Sequence, residues 1–196
     1  MRRGTGCEKA IRLAAVLLSV SLVTAAFYGI ADGLSALERL FYPVRYGEIV
    51  RRSAAFFGVP ESVVFAVIRT ESRFDEAAVS RAGACGLMQL MPETYQKAAG
   101  AIGRGGEAIF DPAENIACGS YWLARLYQKY RNWETVYAAY NAGEAAVDRW
   151  LSDPGTAENG VLTRIPYPET AAYVKRVIKA EAVYQRQYEK DFQKGG

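Results

Sequence analysis

The chain contains no histidine among its 196 residues. That absence removes Ser-His-Asp and Cys-His relays and the HExxH zinc site, because each needs an imidazole to move a proton or bind a metal. A GxxxxGK[ST] phosphate loop is missing too. Gly103-Arg104-Gly105-Gly106 has neither the lysine nor a preceding strand and reads as a flexible turn. No metal site and no cofactor is therefore expected. Nor is there a broad surplus of one charge. The 24 Lys and Arg exceed the 21 Asp and Glu by three, and residues 1 to 12 hold that whole surplus in Arg2, Arg3, Lys9 and Arg12 against Glu8. A neutral body argues against a nucleic-acid partner, whose affinity comes largely from neutralising phosphates.

Charge is absent altogether from Leu13 to Ala31, a stretch rich in Leu, Val and Ala. As a helix it would extend about 28 Å, nearly the thickness of a hydrocarbon core. The spacing predicts a transmembrane anchor over residues 13–31, with a basic cytoplasmic flank over 1–12. Asp32 and Glu38 follow it, so everything beyond about residue 32 is expected outside the cytoplasm. A cleaved signal peptide is the alternative, with Thr24, Ala25 and Ala26 as small residues for a cleavage site. Residues 32–45 read as a juxtamembrane stalk in which Leu34, Leu37, Leu40 and Phe41 recur at helical spacing. Residues 46–190 are one domain's worth of chain.

Of three cysteines, Cys7 falls in the flank, leaving Cys85 and Cys118 in an oxidisable compartment. They form either a disulfide or two small buried thiols.

Periodicity in the domain is helical. Ile49, Ala54 and Phe57 precede a Gly58-Val59-Pro60 break, after which Pro60 opens a helix carrying Val63, Val64, Val67 and Ile68 up to Glu71. Asp111-Pro112 starts another, with Asp111 as its N-terminal residue, Glu114 in its first turn, and an end between Tyr130 and Trp133. Thr135 to Asn141 is a short apolar helix stopped near Gly143, and Pro168 opens a long one with Tyr173, Val177, Ala180, Tyr184 and Tyr188 on one stripe. No run reads as a strand, so the fold class is all-α.

Glu71 alone reads as a solvated helix residue, since Glu is rarely buried. Its company changes that reading. Glu71-Ser72 is followed by the small-residue loop Ser80 to Cys85 and by Gly86-Leu87-Met88-Gln89-Leu90-Met91-Pro92. Ala139-Tyr140-Asn141-Ala142-Gly143 and Ile165-Pro166-Tyr167-Pro168-Glu169-Thr170-Ala171-Ala172-Tyr173-Val174 come after. These four ordered motifs make residues 46 to 188 resemble the lytic transglycosylases of the soluble, goose-lysozyme-like (SLT) type.

The resemblance implies a lysozyme-like α domain. Together with the N-terminal transmembrane helix read from residues 13–31, this makes a single-pass protein of the bacterial cytoplasmic membrane, with secretion after signal cleavage as the alternative. The implied activity is cleavage of the β-1,4 bond between N-acetylmuramic acid and N-acetylglucosamine in peptidoglycan glycan strands, leaving a 1,6-anhydro end. It implies Glu71 as catalytic acid and base, with Ser72, Ser80, Gln89, Met91, Tyr140, Asn141, Glu169 and Tyr173 on the substrate side, Tyr173 matching the position that orients the glutamate. A hydrolase of the same fold and a non-catalytic peptidoglycan-binding scaffold are the alternatives.

To protonate a glycosidic oxygen, Glu71 must keep a proton near neutral pH, whereas a free Glu with a pKa of about 4.3 is about 0.2 % protonated at pH 7. A pKa of about 6 would give roughly 10 %, and apolar surroundings from Val67, Ile68, Met88 and Met91 are expected to supply the shift. Asp75, Glu76, Asp111, Glu114 and Glu169 are the candidates for the second carboxylate of an ordinary glycosidase; the family's route needs none. Considered singly, Tyr140 and Tyr173 read as core aromatics. Asn141 reads as a helix cap or a sugar contact, and Trp122, Trp133 and Trp150 as packing residues.

Overall fold

The structure, a computed structural model, describes residues 4 to 192, with side chains for residues 17 to 29, 33 and 37 to 186. Two compact units are present, Met1–Pro43 and Val44–Gly196.

The first unit is the helix α1, Gly4–Phe41, which runs without a break through the predicted anchor and most of the predicted stalk. Its described side chains Leu17, Leu18, Val20, Leu22, Val23, Phe27 and Tyr28 are all more than half exposed, as are Leu37, Leu40 and Phe41. Among the described residues no helix is long and apolar enough to cross a membrane. Of the predicted span, residues 13–16, 30 and 31 lie outside the described side chains, as do Leu34 and Tyr188.

The second unit is helical apart from one short hairpin. It contains α2 (Gly47–Phe57), α3 (Glu61–Glu71), α4 (Pro92–Ala101), α5 (Pro112–Tyr130), α6 (Trp133–Ala142), α7 (Glu144–Leu151) and α8 (Pro168–Phe192). The hairpin pairs β1, Ala157–Glu158, with β2, Val161–Leu162, antiparallel. It is the one departure from an all-α reading, and two-residue strands are too short to show the alternation that marks a strand in sequence.

The helix α3 is the centre of the unit. Val63, Val64, Phe65, Ala66, Val67 and Ile68 are fully buried, so this helix is apolar all round and must be covered on every side. The long α8 packs on it, α6 packs on α8, and α5 joins α2, α4 and α6. From α8, Tyr173, Val174, Val177, Ala180, Val183 and Tyr184 supply the buried stripe, and the Tyr184 ring stacks on Phe65 with centroids 5.4 Å apart.

Helix ends follow local chemistry. Asp111 Oδ1 accepts from the Ala113 and Glu114 amides at 2.9 and 3.0 Å, the N-cap expected before Pro112. Asn132 Oδ1 does the same for Thr135 N at 2.9 Å. The helix α6 ends at Gly143, φ +82°, so Asn141 lies inside its last turn and is not its cap.

Candidate active site

Between α3 and α4 the chain makes a loop, residues 72 to 91, folded around Cys85. Cys85 forms isolated antiparallel bridges with Val79 and Leu90, and the Cys85 and Leu90 amides exchange bonds with each other's carbonyls at 2.9 and 3.0 Å. Arg73, Phe74 and Gln89 adopt left-handed backbone conformations, which non-glycine residues hold only where surrounding bonds compensate. At Gln89 the compensation is visible. Its Nε2 donates to Ala78 O at 3.0 Å and Gly86 O at 2.9 Å.

The anchor of this loop is Asn115 in α5, which is fully buried. Its Oδ1 accepts from Met88 N at 2.8 Å, and its Nδ2 donates to Cys85 O at 3.1 Å and Ile109 O at 2.8 Å. Two glycines make the approach possible. A Cβ on Gly86, at φ +76°, would overlap the Asn115 amide, and one on Gly119 would overlap the Met88 sulfur. Glycine is required at the first for both conformation and space.

Glu71 is the last residue of α3, where the buried helix meets this loop. The residue is half-buried, and its Oε1 accepts a 2.7 Å hydrogen bond from the hydroxyl of buried Tyr173. Burial pushes its carboxyl up to about 7, against smaller opposing effects from the Tyr173 hydroxyl and the Arg176 charge. The negative end of α3 acts in the same direction as burial. Glu71 is thus about half protonated at neutral pH, further than the sequence-based expectation of about 6. Burial and the neighbouring Glu71 charge hold the Tyr173 and Tyr140 hydroxyls protonated. Tyr173 thereby remains a donor to Glu71, and Tyr140 donates to Met88 O at 2.8 Å.

A cleft of about 240 Å³ is lined by Gln89, Leu90, Met91 and Thr94, by residues 139 to 144, and by Trp122. It contains the predicted Gln89, Met91, Tyr140 and Asn141. Met91 is 44 % exposed, open enough to touch a ligand. Asn141 Oδ1 accepts from Thr170 Oγ1 at 2.8 Å, tying α6 to the first turn of α8 and leaving its amide nitrogen to face outward. Glu169 is exposed in that same turn.

The two serines make loop bonds that the sequence reading did not foresee. Ser72 Oγ donates to Leu87 O at 2.7 Å and accepts from Phe74 N at 3.2 Å, so it fastens the loop to α3. Ser80 Oγ accepts from Ala84 N at 3.0 Å, closing a turn while keeping its own proton available. Both Gln89 amide protons are committed to the loop, so only its oxygen can meet a sugar. Cys85 and Cys118 are free, buried thiols, the second of the two sequence readings. Cys85 Sγ donates to Gly83 O at 3.3 Å, and burial, with some help from Glu114, pushes the Cys118 thiol up to about 11. The Cys118 thiol is therefore not a reactive thiolate.

Residues 48–162, more than half of the chain, match the model of the transglycosylase SLT domain. The chain belongs to the SLT transglycosylase family. Among its relatives is the soluble lytic murein transglycosylase of Escherichia coli K12, 32 % identical over 152 residues that cover 74 % of this chain and 23 % of that protein. Membrane-bound lytic murein transglycosylase C of Shigella sonnei is 33 % identical over 168 residues, covering 72 % and 47 %. The 70 kDa soluble lytic transglycosylase of E. coli superposes with a TM-score of 0.69 at 30 % identity, over 80 % of this chain and 26 % of that one. The same enzyme has been solved in complex with bulgecin A, with a TM-score of 0.70. The chain therefore spans about a quarter of the length of the soluble relatives it matches, and the lysozyme-like α fold expected from its motifs is the fold it shares with them.

Two parts of this SLT site were missing from the sequence reading. Asn115 was read only as part of a helix. A buried Asn directly after a helix-opening Asp-Pro-Ala-Glu run carries no periodic signal, although the nearby small residues Ala117, Cys118 and Gly119 hint at close packing. Arg176 is the other. Its guanidinium lies 5.9 Å from the Tyr173 ring centroid, one helical turn on, and its charge favours the ionised form of Glu71.

Tyr173→Phe should therefore move the alkaline limb of the kcat/KM profile to higher pH, because the lost donor stabilised the Glu71 carboxylate. It should also lower kcat at the optimum roughly tenfold, through poorer orientation of the acid. A pH titration of turnover checks both, and an unshifted limb would disconnect Tyr173 from the ionisation of Glu71.

Proposed function

We propose that the protein is a peptidoglycan lytic transglycosylase in which Glu71 is both acid and base. The observation that carries the reading is a single carboxyl group, raised to about 7 by burial and held by Tyr173, at the meeting point of α3, α8 and the cleft-forming loop. At neutral pH the protonated half gives its proton to the glycosidic oxygen, and the bond from that oxygen to C1 of the muramic sugar breaks. The muramic N-acetyl group stabilises the cation. The Glu71 carboxylate then takes the proton of the same sugar's C6 hydroxyl as O6 closes on C1. Glu71 ends protonated, no water is consumed, and the product is a 1,6-anhydro end. Intramolecular closure benefits from effective concentration, which lets the hydroxyl outcompete water.

Tyr140, Asn141, Gln89 and Met91 line the cleft and are assigned to the glycan. Ser80, whose hydroxyl proton is not used by the turn it closes, and the exposed Glu169 are assigned to the substrate side as well. The names of the relatives as murein transglycosylases support the substrate class. An inactive glutamine-for-glutamate mutant of the Pseudomonas aeruginosa enzyme supports a glutamate at the chemistry. The charge-free stretch 13–31 and the exposed apolar side chains of α1 support anchoring of the domain outside the cytoplasmic membrane. Carbonate-washed membranes should retain the full chain, and release into the wash would remove the anchor.

The deciding experiment is mass spectrometry of peptidoglycan digested with the protein. Products one water lighter than reducing-end muropeptides are expected. Reducing-end products would make it a hydrolase, and absence of any product would make it a binding scaffold.

A further inference from the structure

The cleft described above is lined in part by Trp122, a side chain that the sequence reading assigns to packing. The other two tryptophans do pack. Trp133 stacks on Tyr127 and Tyr137, with centroids 4.4 and 5.9 Å away, and buried Trp150 meets Tyr167 edge-on at 4.9 Å. Trp122 is only half-buried and lines the cleft with Met91, Tyr140 and Glu144.

Its support is unusual for a core residue. Arg125, one turn along α5, lays its guanidinium 4.0 Å from the Trp122 ring centroid. Arg125 Nη2 is bonded to the Glu144 carboxylate, whose other oxygen takes Lys129 Nζ at 3.2 Å. Lys129 continues to Asp148 at 2.7 Å, and the Tyr130 hydroxyl bonds the other Asp148 oxygen at 2.9 Å. A chain of charges from α7 therefore fixes a planar cation against one face of the indole. Two cations and two carboxylates cancel, so the end of the cleft carries no net charge from this set. What is left for a ligand is the opposite ring face and its edge, rigid and aromatic.

A flat apolar surface beside hydrogen-bonding groups suits the C–H face of a pyranose, whose hydroxyls and acetamide project sideways to polar neighbours. We propose that Trp122 is a stacking platform for an N-acetylhexosamine of the bound glycan, with Arg125 as its positioning residue. The proposal rests on the glycan-cleaving reading given above. Trp122 lines the same cleft as Tyr140 and Asn141, so it grips the glycan beside them.

The test uses the full chain carrying Glu71→Gln, so that binding is measured without turnover, with peptide-free GlcNAc–MurNAc oligomers from disaccharide to hexasaccharide. Titration calorimetry should show Trp122→Ala weakening the hexasaccharide about tenfold. Trp122→Phe should recover most of that loss and Arg125→Met should fall between. Intrinsic fluorescence should respond to the hexasaccharide in the parent, and most of that response should disappear in Trp122→Phe. Unchanged affinity in Trp122→Ala, or a fluorescence response that Trp122→Phe leaves intact, overturns the platform. A parent that binds no oligomer of any length overturns the glycan reading itself, which is a different result.

Discussion

Glu71→Gln is expected to lower turnover of peptidoglycan roughly 10³-fold and, at pH 8, to make the domain more stable. Glutamine has nearly the same shape and keeps an oxygen for the Tyr173 hydroxyl, but it can neither release nor take up a proton. The stability gain follows from the raised pKa. Below about pH 4.5, the ordinary value for this group, folded and unfolded chains both hold the proton and Glu71 makes no pH-dependent contribution. As pH rises from there through about 7, the unfolded chain has lost its proton while the folded chain still holds it. Stability falls across that window and levels off above it. The plateau penalty is about 3 kcal/mol, a cost that an uncharged glutamine does not carry. Thermal unfolding of the two proteins should therefore nearly coincide at pH 4. By pH 8 they should separate by roughly 6–12 °C in favour of the variant. A dead enzyme that is also the more stable one identifies a carboxyl held against its own preference at a reacting site. Equal melting temperatures at pH 8 would mean that Glu71 is solvated, and the acid would have to be sought elsewhere.

How much of this site could be read in advance depends on what kind of signal each part sends. The helix α3 was legible because six consecutive buried residues from Val63 to Ile68 leave a fully covered helix as the natural outcome, and Pro60 and the Glu71-Ser72 pair bracket it. The caps at Asp111 and Gly143 were legible because their chemistry is local. Motif order identified Tyr173 as a partner of Glu71, 102 positions away, where spacing alone shows only a stripe residue of α8. The helices α4 and α7 were not resolved as separate elements, since a ten-residue and an eight-residue helix offer little periodicity. The reading of Ser72, Ser80 and Gln89 as ligand contacts did not foresee that the loop also uses these side chains. With Arg73, Phe74 and Gln89 in left-handed conformations and many short polar side chains nearby, backbone groups claim those side chains first. Trp122 was assigned by base rate, which cannot see that one face of its ring is held by Arg125 and the cleft opens beside it.

Asn115 carries the other large prediction. Met88 N, Cys85 O and Ile109 O all bond to its amide, and the first two are separated from it by 27 and 30 residues of chain. Truncation in Asn115→Ala leaves the buried Met88 amide and the part-buried Ile109 carbonyl without their partner, while Cys85 O keeps only the Leu90 amide. At about 1–3 kcal/mol for each such group, partly relieved by relaxation, the loss should be roughly 3–5 kcal/mol. That is a large share of the 5–15 kcal/mol that holds a typical domain together. Because the Met88 carbonyl also holds the Tyr140 hydroxyl, loosening Met88 should disturb the cleft as well as the fold. Urea unfolding gives the first effect as a lower midpoint, and turnover per folded molecule gives the second, expected to fall by about tenfold. Asn115→Asp separates hydrogen bonding from simple space-filling, since it preserves volume and the acceptor facing Met88 N but loses both donors. Its buried carboxyl, when protonated, can donate once, so this variant should gain stability as pH is lowered while Asn115→Ala should not. Should both variants unfold within about 1 kcal/mol of the parent at every pH, the loop is held by its own turns and bridges, and Asn115 is only filling space.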